Sequence, residues 1–156
     1  MGSTAPDENS GSGGRALENR DTILRIAGWN IGSLTGRAGE LVETFNRRKV
    51  DIGCVQETRW KGASARWFGE KGSRYKLYWQ GCKEGTAGVG VFVAKKWVEY
   101  VIKVDRVSER IIMLKLAVGR RVINVISVYG PQAGRSVEEK EIFWDKVVDL
   151  VKCCAK

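Results

Sequence analysis

Three polar residues of the sequence each follow a short, mostly apolar run that favours a β-strand: Asn30, Glu57 and Tyr129. The run before Glu57 is apolar enough to predict a strand that is buried on both faces and ends where the chain becomes polar. In α/β proteins, metal ligands and catalytic groups are concentrated at such strand ends. If the three strands are neighbours, we expect the three side chains to line one edge of one sheet.

A carboxylate and a nearby amide oxygen make half of a site for a hard metal ion. Glu57 would supply the charge that Mg²⁺ requires, Asn30 would supply a neutral oxygen, and water would complete the octahedron. Mn²⁺ is the alternative ion. Magnesium beside a basic surface indicates phosphodiester hydrolysis, in which the ion neutralises charge that builds up in the transition state. The competing interpretation is that the three strand-end residues share no function.

The charge of the chain indicates a polyanionic partner. The 156 residues carry a formal net charge of +9 and the pI is about 9.6, which favours DNA; a generally basic surface is the alternative. There is no histidine, so no imidazole of this chain can act as a general base. The four cysteines show no CxxC spacing, and the sequence has neither a secretory signal nor a membrane-spanning run. We therefore expect an intracellular protein with reduced thiols, in the nucleus rather than the cytoplasm, and no membrane partner.

Composition and periodicity divide the chain into a tail and one domain. Residues 1–21, rich in Gly, Ser and charge, predict a disordered tail, and residues 22–156 predict a single domain. Residues 97–104 stay unassigned. The element order, β-α-β-loop-β-β-β-β-α, predicts a mixed sheet with helices outside it, an α/β or α+β fold. Strands are predicted over residues 22–29, 51–56, 75–80, 87–94, 110–117 and 121–129, and helices over residues 37–49 and 137–153.

A long irregular loop is predicted after the second strand, and it alternates basic and aromatic residues. Arg59, Trp60 and Lys61 are its candidate nucleic-acid-binding residues, because cations bind phosphates and flat rings stack on exposed bases. The alternative is that Trp67 and Phe68 anchor this loop to the core.

Four motifs occur in a characteristic order: IAGWNI around Asn30, VDIGCVQETR around Glu57, AGVGVFV from Ala87 and VYGPQ around Tyr129. With these motifs, the chain from Thr22 onward resembles the exonuclease–endonuclease–phosphatase superfamily. Within that superfamily it is most similar to the apurinic-type endonuclease domain of non-LTR retrotransposons of the RTE/Bov-B type. The Gln-Glu-Thr and Tyr-Gly-Pro motifs at this spacing are the specific part of the resemblance.

The resemblance implies a role for each strand-end residue. Glu57 would be the metal-binding carboxylate, Asn30 would support the metal or the scissile phosphate, and Tyr129 would contact the phosphate. Arg110, in the segment SERII, resembles an arginine that many members have, and it is a further candidate contact to DNA. Gly32 stands where some relatives have an acidic residue, so one metal ligand of those relatives is lacking.

The resemblance also implies a four-layer α/β/β/α sandwich of the DNase I-like type, of which this chain supplies the N-terminal half. The family's later Gly-Asp-x-Asn and Asp-His motifs have no counterpart. We therefore expect a truncated endonuclease-like domain that is inactive alone; a non-catalytic fragment that binds nucleic acid or protein is the alternative. One sheet face would lack its partner layer, so we expect self-association or a partner chain there. The apolar residues concerned include Val55, Val91, Val93 and Ile126.

Overall fold

Two β-sheets with a helix on each outer side make up the fold of the computed structural model, which describes residues 22–154. The predicted tail, residues 1–21, and residues 155–156 lie outside the described residues. The first sheet contains β1 (Ile26–Asn30), β2 (Ile52–Gln56), β3 (Ala63–Phe68), β4 (Tyr75–Gln80) and β5 (Val89–Ala94). The second contains β6 (Val101–Ser108), β7 (Ile111–Val118) and β8 (Arg121–Val128). The helices are α1 (Ala38–Arg47), α2 (Lys95–Val98) and α3 (Val137–Cys154). Within residues 22–154, no helix is long and apolar enough to cross a membrane.

The first sheet is built around a parallel pair of strands joined by α1. Its order is β1-β2-β5-β4-β3, in which β1 and β2 are parallel and the other neighbours are antiparallel. A parallel pair needs a crossover, and α1 supplies it by burying one apolar stripe on the sheet. Phe45 of this stripe lies directly over Gly53 of β2, where any side chain would collide with its ring. The helix predicted over residues 37–49 is therefore confirmed.

The second sheet packs face to face on the first. Its strands are antiparallel in the order β6-β7-β8. Ile112 and Leu114 of β7 share one apolar cluster with Val91 and Val93 of β5, and all four side chains are fully buried. The α3 helix covers the outer face of the second sheet. The layers are thus α1, first sheet, second sheet and α3, which confirms the predicted fold class.

Two predictions about this architecture are wrong. β8 belongs to the second sheet, so Tyr129 does not lie on the same sheet edge as Asn30 and Glu57. The inner face with Val91 and Val93 is not left uncovered either, because β6 to β8 cover it. Both errors have one cause: the strand pattern was taken to form a single sheet, whereas its strands belong to two sheets.

Two segments are more regular than predicted. The predicted loop up to about Ser73 contains β3, an edge strand whose small and charged residues hide its β-character; it pairs with β4. The unassigned residues 97–104 contain the end of α2 and the start of β6. β6 pairs with β7 through two register shifts, which break the simple alternation that a sequence pattern relies on.

Candidate active site

Glu57 lies in a turn whose backbone has an uncommon conformation. Glu57 and Arg59 both have positive φ angles, 59° and 56°, which residues with a side chain adopt only where the surroundings hold them. Thr58 between them donates its N–H to the Gly88 carbonyl at 3.2 Å and accepts the Leu34 N–H at 3.0 Å. Gly88 has a φ of 107° and must lack a side chain, because a Cβ there would collide with the Thr58 hydroxyl. These contacts fix the direction in which Glu57 leaves the sheet.

The Glu57 carboxylate is contacted from both sheets. The Tyr129 hydroxyl, which follows β8, donates a hydrogen bond to Glu57 Oε1 at 2.8 Å. The Asn30 side chain, at the end of β1, also hydrogen-bonds the carboxylate. The bond from Tyr129, followed by the bond from Asn30, holds the pKa of Glu57 below its ordinary value of 4.5. The structure therefore brings the three strand-end residues together, across the two layers, around an ionised carboxylate.

Tyr129 is held in place by Arg110. The Tyr129 N–H donates to the Arg110 carbonyl at 2.8 Å, and the Arg110 guanidinium donates to the Tyr129 and Gly130 carbonyls at 3.2 and 3.1 Å. The guanidinium carbon also lies 4.9 Å from the centre of the Tyr129 ring. Burial, and then the bond to Glu57, raise the pKa of Tyr129, so its hydroxyl stays protonated and able to donate. Arg110 thus has a structural role here, and its contact with DNA stays a prediction.

The oxygens around Glu57 fit a magnesium ion better than a softer metal. Asn30 Oδ1 accepts the Gly32 N–H at 3.2 Å, which orients the amide beside the carboxylate. Across residues 22–154, no cluster of three or more His, Cys, Asp or Glu side chains could enclose a metal. One carboxylate with one amide oxygen suits Mg²⁺, which usually keeps several of its waters. Glu57 and Asn30 are therefore the residues that could hold such an ion.

Three polar hydrogen bonds at or near the site were not predicted. Gln132 Nε2 donates to the Tyr129 hydroxyl oxygen at 2.9 Å, and Arg135 Nε donates to Gln132 Oε1 at 3.3 Å. Deeper in the sandwich, Gln56 Nε2 donates to Ser127 Oγ at 3.1 Å. Gln56 and Gln132 both stand inside the motifs around Glu57 and Tyr129. Spacing along the chain does not show that Gln132 bonds the nearby Tyr129 hydroxyl, or that Gln56 reaches Ser127 in the other sheet.

The candidate nucleic-acid-binding residues of the turn divide into two groups. Arg59 and Lys61 are exposed, as phosphate contacts must be. Trp60 is half-buried, and its ring centre lies 5.0 Å from that of Trp79 and 6.0 Å from that of Phe68. Phe68 therefore anchors this segment to the core, as the alternative interpretation predicts. Trp67, which that interpretation also named, instead stacks with the cations Arg74 and Lys76. The stacking of Trp60 on a base stays a prediction.

Comparison with solved structures finds AP endonucleases. An AP endonuclease from Archaeoglobus fulgidus matches with a TM-score of 0.52 and 25% identity, over 74% of this chain and 44% of that chain. The AP endonuclease LMAP from Leishmania major matches with a TM-score of 0.50 and 14% identity, over 74% of this chain and 42% of that one. The catalytic domain of Xenopus laevis APE2 gives a TM-score of 0.47 and 18% identity, with 76% and 48% covered. No protein-family model and no curated protein matches the sequence.

These similarities show the DNase I-like fold of the AP endonucleases. The Archaeoglobus fulgidus enzyme, at 25% identity, also supports the resemblance to their superfamily. The chain is, to that extent, an endonuclease-like domain. It spans less than half the length of the structures it matches.

Proposed function

We propose that this chain carries the metal-binding part of a Mg²⁺-dependent phosphodiester hydrolase that acts on DNA. The observation that carries the proposal is the ionised Glu57 carboxylate, bonded by Tyr129 from one sheet and by Asn30 from the other. Its motifs resemble the RTE/Bov-B-type retrotransposon endonuclease and the host protein derived from it, craniofacial development protein 2. The fold shared with AP endonucleases and the net charge of +9 support a DNA substrate, and a DNA substrate favours the nucleus.

Each residue of the site has a role in this proposal. Glu57 and Asn30 hold Mg²⁺, or Mn²⁺ in its place, and the ion when bound neutralises charge on the phosphate. Tyr129 orients the carboxylate and contacts the phosphate. The exposed cations Arg59 and Lys61 attract the DNA backbone towards this edge.

We propose further that the 156 residues do not hydrolyse DNA unaided. The sequence has no histidine and no counterpart of the Gly-Asp-x-Asn and Asp-His motifs that the resemblance would lead one to expect. Loss of a general base alone lowers a rate by about 10²–10⁴-fold, and several groups are lacking together. A further polypeptide segment would have to supply them.

The test is to measure metal binding and plasmid nicking on the same samples, comparing wild type with Glu57→Ala. Glu43→Ala, which removes an exposed carboxylate from α1, is the matched control. We expect Glu57→Ala to weaken Mn²⁺ binding, followed by electron paramagnetic resonance, by at least about tenfold, and Glu43→Ala to leave it unchanged. Equal Mn²⁺ affinity in wild type and Glu57→Ala would overturn the metal site. Nicking by wild type that Glu57→Ala abolishes would support the function and refute the inactivity.

The second candidate is a non-catalytic nucleic-acid-binding module, favoured by the exposed Arg59 and Lys61 beside the aromatic cluster of Trp60. It is distinguished by DNA binding that falls steeply with salt and is the same with and without Mg²⁺. In that case Glu57→Ala would bind DNA like the wild type.

We also propose that two copies associate along β8. This strand has eight residues, keeps a regular register with β7 and has no neighbour on its other side among the described residues. Val122 on it is 56% exposed. The other edge strand of the same sheet, β6, is interrupted by two register shifts and carries the charged pair Lys103 and Asp105, features that hinder edge-to-edge pairing.

Sedimentation velocity over a range of concentrations tests this association. We expect wild type to form dimers, and Val122→Lys to shift the equilibrium to monomers because it places a charge on the β8 edge strand. Ile102→Lys, on β6 and 58% exposed, is the matched control and should still dimerise. A wild type that is monomeric throughout would contradict the proposal, and a stable complex with a separate chain along β8 would identify a different partner.

A further inference from the structure

Ser127 is a buried polar residue between the two sheets. It is 1% exposed and pairs within the second sheet with Ile112, whose side chain lies in the apolar cluster between the layers. Its hydroxyl donates to the Val55 carbonyl of β2 at 3.2 Å and accepts from Gln56 Nε2 of the same strand at 3.1 Å. One hydroxyl thus connects β8 to β2 with a donated and an accepted hydrogen bond.

The Ser127 contact has the same sequence offset as the contact between Tyr129 and Glu57. Ser127 bonds the carbonyl of Val55, 72 positions earlier, and Tyr129 bonds Glu57, also 72 positions earlier. β8 and β2 therefore run in the same direction in facing layers. Since side chains two positions apart leave a strand on the same face, the two contacts are successive rungs between the same pair of strands.

The site needs such a contact between the layers because Tyr129 and Glu57 follow strands of different sheets. Within a sheet, the backbone ladder fixes which residues are opposite each other, but between sheets the contacts are mostly apolar. Apolar contact is not directional and does not by itself fix how far one layer slides over the other. Hydrogen bonds are directional and short, so a buried pair of them can set that position.

We infer that the hydrogen bonds of Ser127 with Gln56 and with the Val55 carbonyl, here called the clasp, position Tyr129 against Glu57. Ser127 is a positioning residue in this inference, since it does not touch the site itself and acts through the register of β8 over β2. The consequence for metal binding rests on the proposed function, whereas the consequence for the bond between Tyr129 and Glu57 does not.

A serine suits this place for two reasons. Its hydroxyl is both a donor and an acceptor, and both capacities are used, towards Val55 and Gln56. It is also small enough for the closely packed layers, where its inward neighbour Val125 is 5% exposed. Alanine keeps the size and removes both bonds, while threonine keeps the hydroxyl.

The experiment reads the Tyr129 hydroxyl directly, in the absence of metal and DNA. With tyrosine labelled by ¹³C at Cζ, the hydrogen–deuterium isotope shift of that carbon reports the hydrogen bond that the hydroxyl donates; Tyr129→Phe assigns the signal. We expect Ser127→Ala and Gln56→Met each to change this shift, the double variant to change it no more than Ser127→Ala alone, and Ser127→Thr to restore it. Val125→Ala, on the same inward face of β8 but with no polar contact, is the control for a loss of stability and should leave the shift unchanged.

Metal affinity gives the second measurement. We expect Ser127→Ala to weaken Mn²⁺ binding by about tenfold, as the loss of a residue that orients a ligand does. Val125→Ala should weaken it by less than about threefold. An unchanged isotope shift in Ser127→Ala, or an equal change in Val125→Ala, would overturn the positioning role. If the shift responds as expected and neither wild type nor any variant binds the ion, the clasp stands and the proposed function fails.

Discussion

β2 has an acidic residue at each end, and the two carboxylates have opposite environments. Asp51 directly precedes the strand and is 5% exposed. Its oxygens accept the Arg25 N–H at 2.8 Å and the Trp97 indole N–H at 2.9 Å, and Lys96 lies 3.2 Å away. Glu57 directly follows the strand, is partly exposed, and accepts its hydrogen bonds from side chains that lie in different sheets.

The difference between Asp51 and Glu57 is the one expected between a carboxylate that stabilises the fold and the carboxylate of the proposed metal site. Asp51 is buried, and its oxygens already accept hydrogen bonds from the buried Trp97 indole and from the Arg25 backbone N–H. Glu57 is ionised, oriented by two side chains, and still open to solvent, which is what a metal ligand requires. Positive φ angles occur near both ends of β2, at Lys49 before it and at Glu57 and Arg59 after it, but only at the Glu57 end does the carboxylate residue itself adopt one.

The largest effect that this comparison predicts is on stability, at the Asp51 end. Asp51→Ala would leave the Trp97 and Arg25 N–H groups without partners, and each buried unpaired donor costs about 1–3 kcal/mol, so we expect a loss of about 3 kcal/mol in the free energy of unfolding. Trp97→Phe removes one of these donors and should cost about 1 kcal/mol. Lys96→Ala should cost about 0.5 kcal/mol or less, because that lysine is 71% exposed. Urea unfolding measures all three.

The contrast between the two carboxylates would not hold if Asp51 took part in metal binding. We expect Lys96→Ala, which remains folded, to bind Mn²⁺ with wild-type affinity, while Glu57→Ala binds the ion at least about tenfold more weakly and loses only about 0.5 kcal/mol of stability. If Asp51→Ala is as stable as wild type, the hydrogen bonds of Asp51 with Trp97 and Arg25 do not stabilise the fold, and this interpretation of Asp51 is wrong.

Much of the fold could be predicted from the sequence because local patterns decide it. The α1 helix has its apolar residues on one face, and β2 and β5 are nearly continuous apolar runs, so their type follows from periodicity alone. β3 was not predicted because its Ala63, Ser64 and Arg66 lack a strand pattern. It is stabilised by its pairing with β4. The assignment of β8 to a second sheet also escaped, since no local pattern tells which layer a strand joins.

Three candidate residues that the structure brings together could be predicted from the sequence, whereas most of their surrounding contacts could not. Asn30, Glu57 and Tyr129 stand at strand ends and inside recognisable motifs, which is why they could be named. Gln132 contacts Tyr129 only three positions earlier, but Ser127 matters through contacts 71 and 72 positions away in sequence and in another layer. Such contacts depend on how the two sheets pack, and the packing is a tertiary property that a single sequence does not display.

The smallest effect that the comparison predicts is the pH dependence contributed by Glu57. Because the folded pKa of Glu57 is lowered, first by the bond from Tyr129 and then by the bond from Asn30, its contribution to stability is fully present above the ordinary pKa of 4.5. That contribution is lost as the pH falls through the lower, folded pKa. Glu57→Gln cannot titrate, so the difference between its unfolding free energy and that of wild type should shrink on acidification through this range.

The difference should amount to about 0.5 kcal/mol, since the carboxylate is partly exposed and water screens it. Tyr129→Phe is the matched variant, because it removes the first of the two bonds and leaves the carboxylate in place. It should abolish most of the pH dependence that Glu57→Gln abolishes, and the two changes together should abolish little more than Glu57→Gln alone. Urea unfolding from neutral pH to below 4.5 measures this. A Tyr129→Phe variant with the full wild-type pH dependence would mean that the second sheet does not hold Glu57, and the contrast between the two ends of β2 would then rest on exposure alone.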